Sequence, residues 1–117
     1  MKHHAFMILV VFSIAFFNQP YLGQIRDLSE HPDEIAMHVN VVNNGNDDAE
    51  DVRVSMFIYD LGIQAQSKMF DLDDHEKVAV VLRADTYAAE SGWYLARISL
   101  RDDIHEFDVD HRYVEII

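Results

Sequence analysis

The chain has 117 residues, half of them apolar and 26% charged, so it can bury one core, not two, and is not a disordered tail. Nine basic residues against 21 acidic ones give a net charge of -12. That balance excludes nucleic acid, whose binding rests on cations neutralising phosphates, and disfavours an anionic membrane surface. The absence of cysteine excludes disulfides, thiolate metal sites and cysteine nucleophiles.

The amino terminus, MKHHAFMILVVFSIAFF, has a short basic start followed by an uncharged apolar run from Ala5 to Phe17. A bilayer-crossing helix needs about 20 apolar residues, so this run suits the apolar region of a secretory signal. Ser13-Ile14-Ala15 has the small-x-small form but cuts into the apolar run, and a cut after Gly23 fits the length better. Residues 1–23 are therefore read as a signal peptide or an uncleaved amino-terminal anchor helix. Residues 24–117 form a single domain, and the membrane is reached only through the first segment.

From Gln24, QIRDLSEHPDE predicts an irregular edge strand with Ile25 and Leu28 facing inward, broken at Pro32. Ile35, Met37, Val39 and Val41 then alternate with Ala36, His38 and Asn40, the two-residue period of a half-buried strand. Val52, Val54, Met56 and Ile58 repeat it. Between them Asn44-Gly45 signals a turn, because both residues tolerate positive φ. The nine residues from Asn43 to Asp51 are longer than a tight hairpin needs and suit a crossing between sheets. GIQAQSKMF predicts a less regular strand after a turn at Gly62, and KVAVVLRA a further one with Val78, Val80 and Leu82 on one face. In GWYLARISL, Tyr94, Ala96, Ile98 and Leu100 share a face opposite Trp93 and Arg97. In the closing EFDVDHRYVEII, Val114 and Ile116 are out of phase with Phe107 and Val109, which predicts a bulge or a two-faced end. Six or seven short strands with a turn signal after each, and no sustained helical period, predict an all-β antiparallel sandwich.

VNVVNNGNDDAEDVRVSMFIYD resembles the strand-turn-strand of CARDB-type immunoglobulin-like domains of prokaryotic envelope proteins. The matching positions are Val41, Asn43, Gly45, Ala49, Val52 and Val54. SGWYLARISL resembles the later G-x-Y strand of that family through Gly92 and Tyr94. FDLDDHEK and DHRYVEI are similar to repeats in S-layer-related archaeal proteins. The resemblance implies an immunoglobulin-like β-sandwich of about seven strands. The resemblance makes Asn43, Gly45, Val52, Val54, Gly92 and Tyr94 structural positions. The expected partners are other envelope proteins or copies of the chain. The acidic tail common in bacterial members is missing. Fold resemblance of this kind speaks to packing rather than to function.

The remaining chemistry is sparse. Three acidic stretches hold calcium candidates: Asp47 and Asp48; Asp71, Asp73 and Asp74; Asp102 and Asp103. Their spacing does not match a calcium-binding helix-loop-helix, and Asp favours solvated turns for backbone reasons. Calcium is the one cofactor left open; otherwise none is expected. His31, His38, His75, His105 and His111 show no tight metal spacing, and no serine lies in a nucleophile elbow, so no catalytic residue is expected. Trp93, Tyr94, Tyr59, Tyr87 and Tyr113 could furnish a sugar platform, with Trp93 pointing away from the core; a covered sheet surface is the plainer reading. Tyr94 suits a tyrosine corner, its hydroxyl bonded to nearby backbone. The expectation is an exported, non-enzymatic structural or adhesion module of the cell envelope, presenting loops or an edge strand to a protein partner. A calcium- or carbohydrate-binding module is the alternative.

Overall fold

The computed structural model of the protein describes residues 19–117, and the predicted leader or anchor helix lies outside the described residues. Eight strands follow in order: β1 (Pro20–Asp27), β2 (Glu34–Asn43), β3 (Ala49–Ile58), β4 (Ile63–Gln66), β5 (Phe70–Leu72), β6 (Lys77–Asp85), β7 (Gly92–Arg101) and β8 (Glu106–Ile116). Every pairing is antiparallel. One sheet has the order β1-β2-β6, and the other runs β4-β3-β7-β8 with β5 also on β3. The described residues thus form an all-β sandwich, with eight strands where about seven are expected. Among the described residues no helix is long and apolar enough to cross a membrane.

The period-two runs become the two inner faces. Ile35, Met37, Val39 and Val41 from β2 meet Val52, Val54, Met56 and Ile58 from β3 and Ala96, Ile98 and Leu100 from β7, all at most 1% exposed. Burial of such side chains contributes about 1.5–3 kcal/mol each, so these three strands supply most of the cohesion. The connection from Asn43 to Asp51 does cross from one sheet to the other.

Three departures from the sequence reading have local causes. GIQAQSKMF is not one strand but two, β4 and β5, both against β3. At the break Ser67 donates its N–H to the Val54 carbonyl at 2.8 Å, and its Oγ accepts the Val54 N–H at 2.9 Å, so the edge of β3 stays satisfied. Gly45 does not use positive φ; that conformation falls on Gly62, Gly92, Asp51 and His75. Leu28 is exposed, and β1 already begins at Pro20, opposite Asn43. A cut after Gly23 would remove the first half of this strand.

The phase change in β8 is real and needs no bulge between Asp108 and Ile116. Asp108, Asp110 and Arg112 take inward positions opposite Leu100, Ile98 and Ala96, and only then do Val114 and Ile116 follow, both buried. The charged stretch faces β1, whose ladder is irregular between Leu22 and Ile25. Asp108 Oδ2 accepts the Leu22 N–H at 2.9 Å, and Arg112 Nη1 donates to the Ile25 carbonyl at 3.1 Å. Arg112 Nε is held by Asp110 Oδ2 at 2.8 Å. Side chains of one sheet edge thereby bond one N–H and one carbonyl of the other and tie that flank of the sandwich.

A single buried carboxamide joins the loops at one end. Asn43 is 1% exposed. Its Nδ2 donates to the carbonyls of Asp47 (2.8 Å), Leu72 (3.1 Å) and Asp73 (3.2 Å), and its Oδ1 accepts the Gly45 N–H at 3.1 Å. Its backbone N–H donates to Glu76 at 2.9 Å. Asn43→Ala should therefore cost about 2–3 kcal/mol in denaturant unfolding, since it strands buried carbonyls. Asn43→Asp should cost at least as much, because an anion would face three carbonyl oxygens. Equal stability of Asn43→Asp and wild type would contradict the donor role.

Candidate functional site

Side-chain alternation and the β3-β7-β8 register put one set of residues on the outer face of the five-stranded sheet. Phe57, Arg97 and His111 form one row across the strands. Leu95 and Tyr113 form the next, with Tyr59 joined to it by its N–H bond to the Leu95 carbonyl at 3.2 Å. Trp93 lies opposite Glu115 in the row beyond. Residues facing one another across strands, and their diagonal neighbours, sit within reach of large side chains. The face is therefore a contiguous aromatic surface.

Its geometry is partly locked. Phe57 and Tyr59 meet edge to face with ring centroids 5.4 Å apart. Tyr59 and His111 lie nearly parallel at 6.3 Å, and the Tyr59 hydroxyl contacts His111 Nε2 at 3.3 Å. Arg97 Nη2 donates to both carboxylate oxygens of Glu106 at 2.7 Å, a charge-assisted contact that holds the guanidinium along one border. Trp93 and Tyr113 remain 66% and 67% exposed, high for such large rings on a regular strand. Gly92 precedes Trp93 at φ 154°, a conformation that side chains rarely adopt, so the entry into this strand suits glycine.

Of the five aromatic residues noted in the sequence, three share this face: Trp93, Tyr59 and Tyr113. Tyr94 points to the inner side, half-buried, and its hydroxyl donates to the Glu90 carbonyl at 2.8 Å. Tyr87 stands in the β6–β7 loop at the sandwich end, beside Arg83 and Asp85. Sequence reasoning did not place Phe57, Leu95 and His111 here. Their alternation out of phase with the core was the available signal, but the row they share needs the register.

The acidic loops gather at the end of the sandwich that Asn43 organises. A shallow groove there is lined by Asp47, Asp48, Glu50, Asp102, His105 and Phe107. The loops are bonded to one another by backbone: Asp48 Oδ1 accepts the Asp74 N–H at 2.8 Å, and Asp71 Oδ1 accepts the Asp51 N–H at 3.2 Å. Asp102 Oδ1 accepts the N–H groups of Ile104 (2.8 Å) and His105 (2.6 Å), and Asp103 pairs with Arg53 at 3.4 Å. Among the described residues no three His, Asp or Glu side chains are arranged to hold a metal ion. The histidines stay apart; His75 and His105 each lie 3.6 Å from a neighbouring aspartate.

Two carboxylates here titrate abnormally, in opposite directions. The charges of Glu76 and Asp48, with burial and Asp71 and Asp74 adding to them, raise Asp73 above the usual carboxylate value. The backbone N–H bonds from His105 and Ile104 lower Asp102 below it.

No family model matches the sequence, and no curated protein matches it. Solved structures do share the fold. The β-glucuronidase of Bacteroides uniformis superposes with a TM-score of 0.65 at 14% identity, covering 84% of this chain and 14% of that one. β-Glucosidase 3B from Thermotoga neapolitana, solved in complex with glucose, gives 0.59 at 14% identity, covering 86% and 16%. A glycosyl hydrolase family 2 member from Bacteroides cellulosilyticus gives 0.58 at 12% identity, covering 83% and 15%. The chain therefore spans only a small β-sandwich part of each enzyme, and at these identities the likeness is one of fold.

The two titrations make a signed prediction. A raised carboxylate destabilises the fold above its own pKa, and that cost is relieved as pH falls through it. Asp73→Asn should raise the melting temperature near neutral pH, and the gain should shrink on acidification. A lowered carboxylate stabilises the fold above the ordinary value of 3.8, and the benefit is lost as pH falls through the depressed pKa. Asp102→Asn should accordingly lower the melting temperature near neutral pH, with the difference vanishing in acid. Melting curves of both variants across pH check the signs, and a reversed pair would refute the assignment.

Proposed function

We propose that the chain is a non-enzymatic immunoglobulin-like module, exported and held at the cell envelope, that presents the outer face of its five-stranded sheet to a protein partner. The observation that carries this reading is the exposed aromatic surface of Trp93, Tyr113, Tyr59 and Phe57 on a chain with net charge -12. Strong net charge keeps a surface solvated, so a contiguous aromatic patch on such a chain stands out as a binding site. Trp, Tyr, Phe and Arg are the residue types that concentrate at the energetic centres of protein interfaces. The face is mounted on paired strands, so little conformational entropy is lost when it is covered. The non-enzymatic assignment is supported by the small share of each glycosidase that the fold corresponds to.

The same aromatic gathering favours a second reading, a carbohydrate-binding face, because exposed aromatic rings stack against the apolar faces of sugar rings. Trp93 is the single tryptophan, so its fluorescence reports both readings.

The test is photo-crosslinking in the native cell with a photoreactive amino acid at position 93, 113 or 87. Positions 93 and 113 should each yield the same discrete protein adduct, and position 87, in the end loop, should not. Trp93→Ala with Tyr113→Ala should abolish recognition yet shift unfolding free energy by no more than about 0.5 kcal/mol per site, as exposed positions do. Equal adducts from all three positions would defeat the face reading. Saturable Trp93 fluorescence changes with soluble β-glucans or uronic-acid oligosaccharides, without a protein adduct, would establish the carbohydrate reading instead.

A further inference from the structure

The flanking strands of the two sheets, β1, β6, β8 and the short pair β4 and β5, are not protected alike. On β1 the outward groups Leu22 N–H and Ile25 C=O are bonded by β8 side chains, and the ladder bulges between them. Edge strand β8 carries inward charges and four acids (Glu106, Asp108, Asp110 and Glu115) against Arg112, a net of -3. Strand β4 is only four residues long. Charges pointing inward, bulges and shortness are the devices that keep edges from pairing. Strand β6 has no inward charge and no bulge and is nine residues long, so its only such device is the outer-face charge of Lys77, Arg83 and Asp85. It pairs with β2 in unbroken register from Lys77 to Asp85, and its inward residues Val78, Val80, Leu82 and Ala84 are all apolar.

The register also says which backbone groups of β6 have no partner among the described residues. Asn43 donates to Glu76 and Thr86 donates to Asp33, so the hydrogen-bonded pairs of this ladder fall on even positions of β6. The N–H and C=O of Lys77, Ala79, Val81, Arg83 and Asp85 therefore point away from β2. Their side chains lie on the outer face, with Val81 44% exposed. Arg83 is drawn back across β2 by a 2.6 Å bond to Glu34, away from the edge, and the short strand β4 of the other sheet lies beside β6 on this flank without a backbone bond to it. Lys77 and Arg83 against Asp85 give the strand a net of +1 within an acidic chain.

We propose that β6 pairs antiparallel with β6 of a second copy about a twofold axis through Val81. The inference goes beyond the face-binding reading and does not depend on it. With Val81 opposite the partner's Val81, Ala79 lies opposite the partner's Arg83, and Lys77 lies opposite the partner's Asp85. This register joins only outward-pointing groups. It sets opposite charges at both ends and apolar residues at the centre. It also brings Val80 beside the partner's Leu82 and Val78 beside the partner's Ala84. Val78, Val80 and Ala84 are only partly buried in the single chain. The isologous contact closes on itself and merges two three-stranded sheets into one of six.

The absence of cysteine makes a register test clean. In the full chain, kept in a mild non-ionic detergent, Val81→Cys should form an intermolecular disulfide on gentle oxidation. Cα atoms of a hydrogen-bonded antiparallel pair lie about 5.5 Å apart, within disulfide reach. Ala79→Cys should not, because its twofold mate is displaced four residues along the strand, about 13 Å. Sedimentation should show a dimer of the full chain. Val81→Pro, which removes only an outward donor, should raise its dissociation constant by about tenfold or more through loss of two hydrogen bonds. If that variant fails to fold, Lys77→Asp provides the measure. It should weaken the dimer, while Arg26→Asp, an equal charge change on the opposite edge strand β1, should not. A single-chain mass at all concentrations overturns the proposal. So do a dimer that links at position 79 or not at 81, equal effects of the two charge changes, and a strand of another protein captured in place of the second copy.

Discussion

The carboxamide of Asn43 is the constraint on which the rest of the structure depends. It stands at the end of a core strand of one sheet and binds carbonyls on both sides of the two crossings that lead to and from the other. Asp47 belongs to the β2–β3 connection, whereas Leu72 and Asp73 lead from β5 towards β6. A buried polar group costs free energy unless its bonding capacity is met, and here both its oxygen and its nitrogen are occupied. The exchange makes sense of an otherwise awkward end, where many carboxylates crowd against one another. Repulsion among them, visible in the raised titration of Asp73, is opposed by backbone bonds that Asp48, Asp71 and Asp102 accept. The acidic loops are thus held mainly by N–H groups and by one neutral amide, with Arg53 on Asp103 as an added opposite charge.

With that end fixed, the sandwich is free to specialise its outer surfaces. The inner faces of β2, β3 and β7 are uniformly apolar and dictate register, because a one-residue slip would turn every core side chain outward. Register in turn decides that Phe57, Tyr59, Trp93 and Tyr113 gather on one surface. The seam between β1 and β8 adds the remaining constraint: inward charges, usually a sign of trouble in a core, serve there as bonding partners for an irregular strand. Binding by such a module would draw on rigidity, with rings already seated on paired strands.

Much of this architecture was legible in the sequence, and the limits were physical. Strands β2, β3, β6 and β7 announce themselves by two-residue alternation, because each has one fully buried face. The crossing after Asn43 could be read from its length. What alternation could not show was the function of a residue whose partners come from elsewhere in the chain. Asn43 and Gly45 read as a positive-φ turn, yet the turn is closed by the Asn43 side chain and Gly45 keeps ordinary φ. The out-of-phase ending of β8 read as irregularity, since nothing local reveals that Asp108 and Arg112 serve β1. Strand β1 begins within what looks like the tail of a leader, where an apolar run and a strand carry the same signal. The aromatic surface was the least legible feature. Its members come from three strands, and only the register brings them together.

Native-state hydrogen exchange, read amide by amide, is the most direct test of the Asn43 clamp. The amides of Asn43, Gly45, Asp74 and Glu76 each donate within the clamp or the turn beside it. If the clamp unites the two crossings, these amides exchange together, through an opening whose free energy approaches that of global unfolding and falls in concert in Asn43→Ala. Independent, fast exchange of the 44–48 loop and the 73–76 turn, while β2, β3 and β7 stay protected, would contradict it and reduce Asn43 to a local turn residue.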